Sequence, residues 1–244
     1  ETLEGIVKHN GPLIDHKGAP LALYAEKGLP LAIRATMQVQ DLRLDTFASL
    51  ESQIAALADD IAYNNHDIDD GFRAGYIAVK ELEEMPMAGR TLALVRKTHG
   101  DLPDSPLIYE MNRRMIAGMV QDVLAETRAR ITDGRPSTIE DIRGGREPLA
   151  QFSEKMAADI ADLRRFLFAK VYKNPAIVRK MTEAQRILRE LYDHFAGHPE
   201  EMNLEPGREA EIADPIARQR AVGDFVAGMT DMFALKRHAA LFDA

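Results

Sequence analysis

The 244-residue chain reads as all-α on three observations. Apolar residues recur at spacings of three, four and seven, Gly and Pro clusters fall between the periodic stretches, and alternating β-branched runs are nearly absent. Hydrophobic residues make up 45% of the chain, enough to fill a sizeable core.

A short helix opens the chain and stops at Asn10-Gly11-Pro12, and the Gly- and Pro-rich stretch from Leu13 to about Asp45 reads as a long connection. The next helix is expected over 46–65, with a second short one through Phe72 and Tyr76 after an Asn-Asn and Asp-Gly break. Further helices fit 88–99 and 105–131, the latter apolar at Ile108, Met111, Met115, Met119, Val123 and Leu124. Ser137-Thr138-Ile139-Glu140 has the form of a capping box and should open a short helix ending at Gly144-Gly145. Three long helices follow over 148–172, 175–196 and 214–241, with Asn174 and Asp214 as caps and Pro175 and Pro215 at the first helical position. No repeat or low-complexity tract interrupts them, so a single domain over 1–244 is expected.

Net charge is −8, which argues against general affinity for nucleic acid or an anionic membrane. Cysteine is absent, which removes disulfides, zinc-thiolate sites and thiol nucleophiles, and no apolar run approaches the ~18 residues that span a bilayer. The expected compartment is the cytoplasm. The first residue is Glu1 and apolar patterning starts at once without a capping residue, so residues upstream are expected to be missing.

The most informative segment is Ala58-Asp59-Asp60-Ile61-Ala62-Tyr63-Asn64-Asn65-His66-Asp67-Ile68-Asp69-Asp70-Gly71. Ser52, Ala55, Ala56, Asp59, Tyr63 and His66 share one helical face, while Leu50, Ile54, Leu57 and Ile61 form an apolar stripe on another. A helix apolar or small on most of its circumference suggests burial, and a buried carboxylate needs a partner or a metal. Asp59-Asp60 is therefore either a helix-embedded ligand site, with alanines leaving room between facing helices, or a solvated acidic pair. His66-Asp67 resembles the signature of HD-type phosphohydrolases, but with no second histidine at helical spacing it reads as a polar residue near a helix end. Arg113-Arg114 and the run through Arg164-Arg165, Lys170, Lys173 and Arg179-Lys180 are either solvated ion pairs or contacts for a polyphosphate.

Whole phrases resemble the deoxyguanosine triphosphate triphosphohydrolase family, in the bacterial branch of the HD superfamily. They are Thr2 to Gly11, Ala58 to Gly71, Tyr172-Lys173-Asn174-Pro175 and Phe225 to Asp231. The resemblance implies an HD-like helical bundle that hydrolyses a deoxynucleoside triphosphate to deoxynucleoside and inorganic triphosphate with a divalent metal, manganese or magnesium. It implies Asp59 as the final metal ligand, Tyr63 against phosphates and sugar, Asp67 at the sugar 3′-hydroxyl, and Arg113 or Arg114 near the triphosphate. It implies a homo-oligomer as well.

The family's first histidine and its His-Asp pair lie upstream of the Thr2 to Gly11 phrase and have no counterpart here. The chain thus looks like the C-terminal part of such a protein, weak or inactive alone. Two other readings stay open: a non-catalytic helical module for nucleotide binding or assembly, and an HD-type phosphodiesterase or nucleotidase.

Overall fold

The computed structural model describes residues 1–21, 23–202 and 214–242. Among them the secondary structure is helical, with one isolated antiparallel bridge at Ile14 and Pro20, so the all-α expectation holds. None of these helices is long and apolar enough to cross a membrane. The chain packs as two units, Glu1–Val171 and Tyr172–Ala244.

In the first unit, α1 (Thr2–Lys8) is followed by two short helices, α2 (Leu23–Lys27) and α3 (Leu31–Met37), inside the stretch expected to be a plain connection. That stretch, in which Ala22 lies outside the described residues, has its own core of Leu13, Leu42 and Leu44, with Val7 and Ile33 packed on it. The main core is built by α4 (Leu50–Arg73), α5 (Val79–Glu83), α6 (Pro86–His99), α7 (Asp104–Gly134) and α9 (Glu154–Leu167). Helix α7 packs against both α4 and α6, and α9 lies against both of those. Ile68, Leu92, Val95, Ile108, Met111 and Met119 are fully enclosed there. The methionines expected on the core face of α7 take that place.

Helix α4 does not break where expected. It runs through Asn64-Asn65 and Asp69-Asp70 because the asparagine amides donate back along the helix, Asn64 Nδ2 to the Asp60 carbonyl and Asn65 Nδ2 to the Ile61 carbonyl, each at 2.7 Å. Its buried stripe is Gln53, Ile61, Asn64, Asn65, Ile68 and Gly71, offset from the expected Leu50–Ile54–Leu57–Ile61 line, and Ile54 is exposed. Gly71 lies within the helix, and a Cβ there would lie 2.7 Å from Ile77 Cδ1, which leaves room for glycine alone.

The short helix after Ser137 is α8 (Ile139–Arg143), capped one residue later than the expected box. Thr138 Oγ1 accepts from Asp141 N, and Asp141 Oδ2 accepts from the backbone of Ser137 and Thr138. Glu140 is thereby released to accept from Arg43 and Arg143. Helix α9 starts later than expected, at a Ser153 cap that Asp122 of α7 holds through its backbone N–H (2.8 Å) and hydroxyl (2.7 Å). It continues as a π-helical turn, Phe168–Tyr172.

In the second unit, α10 (Pro175–Gly197) has the expected Asn174 cap, whose Oδ1 accepts from Ala176 N at 2.9 Å. A 3-10 turn, Pro199–Met202, follows it. The single helix expected over 214–241 is two, α11 (Pro215–Ala227) and α12 (Asp231–Phe242), separated at Gly228-Met229-Thr230. Thr230 Oγ1 accepts from Phe233 N and so starts a new helix. Leu191, Phe195, Met202 and Val222 form this unit's core. Buried His238 of α12 pairs with Glu190 of α10 at 2.6 Å.

An ionic network holds the start of the first unit. Lys8 is fully buried, and its Nζ meets Glu4 Oε1 at 2.8 Å, the Arg43 carbonyl at 2.7 Å and Thr46 Oγ1 at 2.6 Å. Arg143 Nη2 reaches Glu4 Oε2 at 2.7 Å. Burial pushes the Glu4 carboxyl up, but hydrogen bonds from Lys8 and Arg143 outweigh it and leave the group below its ordinary 4.5. Burial pulls the Lys8 ammonium down, against the opposing pull of Glu4.

A carboxylate whose folded-state pKa is lowered contributes stability that is present above its unfolded value and lost as pH falls through the folded one. Melting temperatures from pH 7 to pH 3 should therefore show Glu4→Gln destabilising at neutral pH, with the gap to the wild type closing toward acid. Lys8→Met should cost about 3 kcal/mol in denaturant unfolding at pH 7, since it strips a partner from a buried carboxylate.

Candidate functional site

Helix α4 begins at Ser49, whose Oγ accepts from Ser52 N, and Gln53 fixes its first turn. The Gln53 amide donates to the Ala48 carbonyl at 2.9 Å, and its oxygen accepts from Leu149 N and Ala150 N at 2.8 and 3.0 Å. On the outer side of the same turns α1 lies against α4. The approach is close at Gly5, where a Cβ would stand 2.2 Å from Ser52 Oγ.

Along that contact the two helices line an open groove of about 720 Å³. One wall is Ser52, Ala55, Ala56 and Asp59, four of the six residues assigned to one face of α4 from spacing alone; the other is Thr2, Gly5, Ile6 and His9. Thr2 and His9 had no spacing signal and were marked only by the opening phrase. His9 is oriented by its own helix, with Nδ1 3.1 Å from the Ile6 carbonyl and Nε2 3.1 Å from Asn10 Nδ2.

Burial of Asp59 is not what the structure shows. The carboxylate is exposed on the groove wall, because the buried stripe of α4 is rotated away from it. No described residue forms a hydrogen bond or ion pair with it. Its neighbour Asp60 is different, since Asp60 Oδ1 meets Arg164 Nη2 of α9 at 2.8 Å. Asp60 is thus held in an ion pair, while Asp59 is an open, solvated carboxylate.

Tyr63 and Asp67 continue the line one and two turns along α4, about 6 Å per step. Tyr63 is 63% exposed and Asp67 is half-buried; neither lines the groove. His66 is exposed in mid-helix rather than near a helix end.

Arg113 and Arg114 lie on α7 and converge on Glu110. Arg113 reaches it through Nε and Nη2 at 2.8 and 2.7 Å, and Arg114 through Nε at 2.7 Å. The two guanidinium groups, Arg113 first, hold the Glu110 carboxyl down to about 2. Neither arginine lines the groove, and both spend their described ion pairs on Glu110. Arg164, from the other basic run, is the partner of Asp60.

No group of three or more His, Cys, Asp or Glu among the described residues could hold a metal ion. The donor set therefore does not fit a divalent cation by itself: Asp59 is one open carboxylate where three or more converging ligands are needed.

Comparison with known sequences points to phosphohydrolase relatives. Residues 150–240 match the family described as Phosphohydrolase-associated domain. Over 243 residues, all but one of this chain, it is 42% identical to the deoxyguanosinetriphosphate triphosphohydrolase-like protein of Parvibaculum lavamentivorans and 44% identical to that of Brucella anthropi. Identity to the protein of the same name from Bradyrhizobium diazoefficiens is 41% over 244 residues. Along its whole length the chain is similar to part of the deoxyguanosinetriphosphate triphosphohydrolase-like proteins. It spans about 60% of the length of these curated relatives.

The different settings of the two aspartates have a thermodynamic consequence. Asp59→Ala should leave unfolding free energy within about 0.5 kcal/mol of the wild type, as for a surface residue without partners. Asp60→Ala should lose up to about 1 kcal/mol, the range of a half-exposed ion pair, and the loss should shrink in high salt. Chemical denaturation at low and high ionic strength checks both.

Proposed function

We propose that this chain is the C-terminal part of a phosphohydrolase acting on a deoxynucleoside triphosphate, with release of deoxynucleoside and inorganic triphosphate. The observation that carries the reading is the open Asp59 carboxylate on a groove wall of small residues, in a chain whose full length aligns with proteins named for that reaction. In the complete protein Asp59 serves as one ligand of a divalent cation, manganese or magnesium. The described residues do not close that site by themselves.

Tyr63 offers an exposed ring and hydroxyl one turn from Asp59, suited to lie along the sugar and phosphates. Asp67, a further turn on, accepts a hydrogen bond from the sugar 3′-hydroxyl, which fixes the nucleotide along the α4 axis. Arg113 and Arg114 together hold one more positive charge than Glu110 cancels, and that surplus offsets charge on a triphosphate. A second reading, a non-catalytic nucleotide-binding or assembly module, is favoured for the isolated chain by the single open carboxylate.

In the full-length protein Asp59→Ala should lower kcat/KM for a deoxynucleoside triphosphate by at least about 10²-fold, the scale of losing one preorganised electrostatic partner. Asp60→Asn should stay within about threefold of the wild type, and Asp67→Asn should act mainly through KM. The 244-residue chain alone should release little or no triphosphate at any manganese or magnesium concentration. Product analysis by anion exchange reads all of these, and intact triphosphate separates this reaction from a phosphodiesterase or nucleotidase. Full activity of Asp59→Ala, or vigorous triphosphate release by the isolated chain, would contradict the assignment.

A further inference from the structure

The second unit holds two histidine–carboxylate pairs that the proposed reaction does not use. His238 of α12 is buried, and its Nε2 donates to Glu190 Oε2 of α10 at 2.6 Å. His194 of α10 reaches Glu201 Oε2 of the 3-10 turn at 3.1 Å, and Arg237 of α12 meets the same oxygen at 3.2 Å. Both imidazoles must carry a proton on Nε2, because an ionised carboxylate only accepts.

Little else fastens α12. Its contribution to the unit's apolar core is Ala234 and half-buried Leu241, while Met232, Phe233, Leu235 and Phe242 are exposed. The Phe242 ring lies against both imidazoles, with centroids 4.8 Å from His238 and, edge-on, 6.0 Å from His194. An aromatic ring so placed favours a charged imidazole over a neutral one.

The charged groups facing these rings are Glu183, Arg186 and Glu190 from α10, Glu201 from the turn and Arg237 from α12. His198 stacks on His194 at 4.7 Å, and on α11 Arg220 and Asp224 pair with each other. With both imidazoles charged, Arg186, Arg237, His194 and His238 face the three glutamates. With both neutral, only the two arginines do, so loss of two protons turns the seam from net positive to net negative.

The two ends of the pH range act differently. The carboxyls of Glu190 and Glu201 are held below their ordinary 4.5, first by His238 and first by His194 respectively. What such a carboxylate contributes is present above its unfolded value and lost as pH falls through the folded one. Toward alkali the limit is the imidazole, since an unperturbed histidine gives up its charge at about pH 6.5. We propose that α12 is a pH-sensitive latch on α10, closed while His238 and His194 are charged and Glu190 and Glu201 ionised, and loosened when the imidazoles lose their charge.

Native-state hydrogen exchange of the full-length protein, corrected for the intrinsic pH dependence of amide exchange, tests this. Residues 231–242 should be at least about fivefold better protected at about pH 5.5 than at about pH 8, while residues 111–123 of α7 keep the same protection. His238→Gln, which keeps a donor for Glu190 but cannot gain charge, should flatten the profile, and His194→Gln should flatten it in part. Equal protection of 231–242 at both pH values, or a wild-type profile in His238→Gln, would overturn the latch. If His238→Gln leaves α12 unprotected throughout, Glu190→Gln decides: a pH step that survives loss of this carboxylate overturns the proposal, and a flattened one supports it.

Discussion

The placement of α1 rests on a buried ammonium. Helix α1 has little apolar anchorage, since Leu3 and Ile6 are exposed and only Val7 packs on the small Leu13–Leu42–Leu44 core. What fixes its register is Lys8, whose three donors are taken up by Glu4, the Arg43 carbonyl and Thr46, with Arg143 completing Glu4 from α8. Such a network returns little net stability, because desolvation of the charges offsets their attraction. Its directional bonds instead leave α1 few alternative positions. That position sets one wall of the groove, because the Gly5–Ser52 contact limits how closely α1 approaches α4.

A second constraint operates inside α4. A helix with Gln53, Asn64 and Asn65 on its buried side would ordinarily be penalised for unpaired amides. Here Gln53 binds the chain segment at Leu149 and Ala150, and the asparagines return hydrogen bonds to their own helix. The interior of α4 is thus polar but satisfied through its donors, and its outer face is left to small residues and carboxylates. Asp60, turned toward α9, is claimed by Arg164, while Asp59, one residue and about 100° further round, is not. Two adjacent identical side chains acquire different chemistry from helical rotation alone.

Much of this was legible in the sequence where local physics decides. The all-α class, the Asn174 and Asp214 caps, the methionine side of α7 and the shared face of Ser52, Ala55, Ala56 and Asp59 follow from spacing and capping rules that tertiary structure left intact. The failures have tertiary or side-chain causes. The Asn-Asn pair reads as a break because asparagine competes with the backbone, and only the i−4 bonds of Asn64 and Asn65 turn that competition into support. Glu140 looked like the capping acid because its partners Arg43 and Arg143 lie outside any local window. Burial of Asp59 was inferred from the average polarity of the helix, but the stripe that decides burial runs through Gln53 and Asn65, polar residues that a hydrophobicity pattern scores as surface.

The open state of Asp59 and the network around Lys8 belong to one argument. An exposed carboxylate without a partner imposes no strain, so the fold does not require this residue to be acidic. On the proposed reading Asp59 is one ligand of the groove, and the remaining ligands come from outside the described residues. Such ligands must be positioned relative to Asp59 with a tolerance of about 0.2 Å in each metal–ligand distance, and α1 forms the wall opposite it. A shift of α1 therefore changes the space those ligands and a substrate enter without touching the carboxylate. Lys8 and Glu4 are buried, Arg143 is half-buried, and none of the three lines the groove, yet they hold the short helix that forms one of its walls.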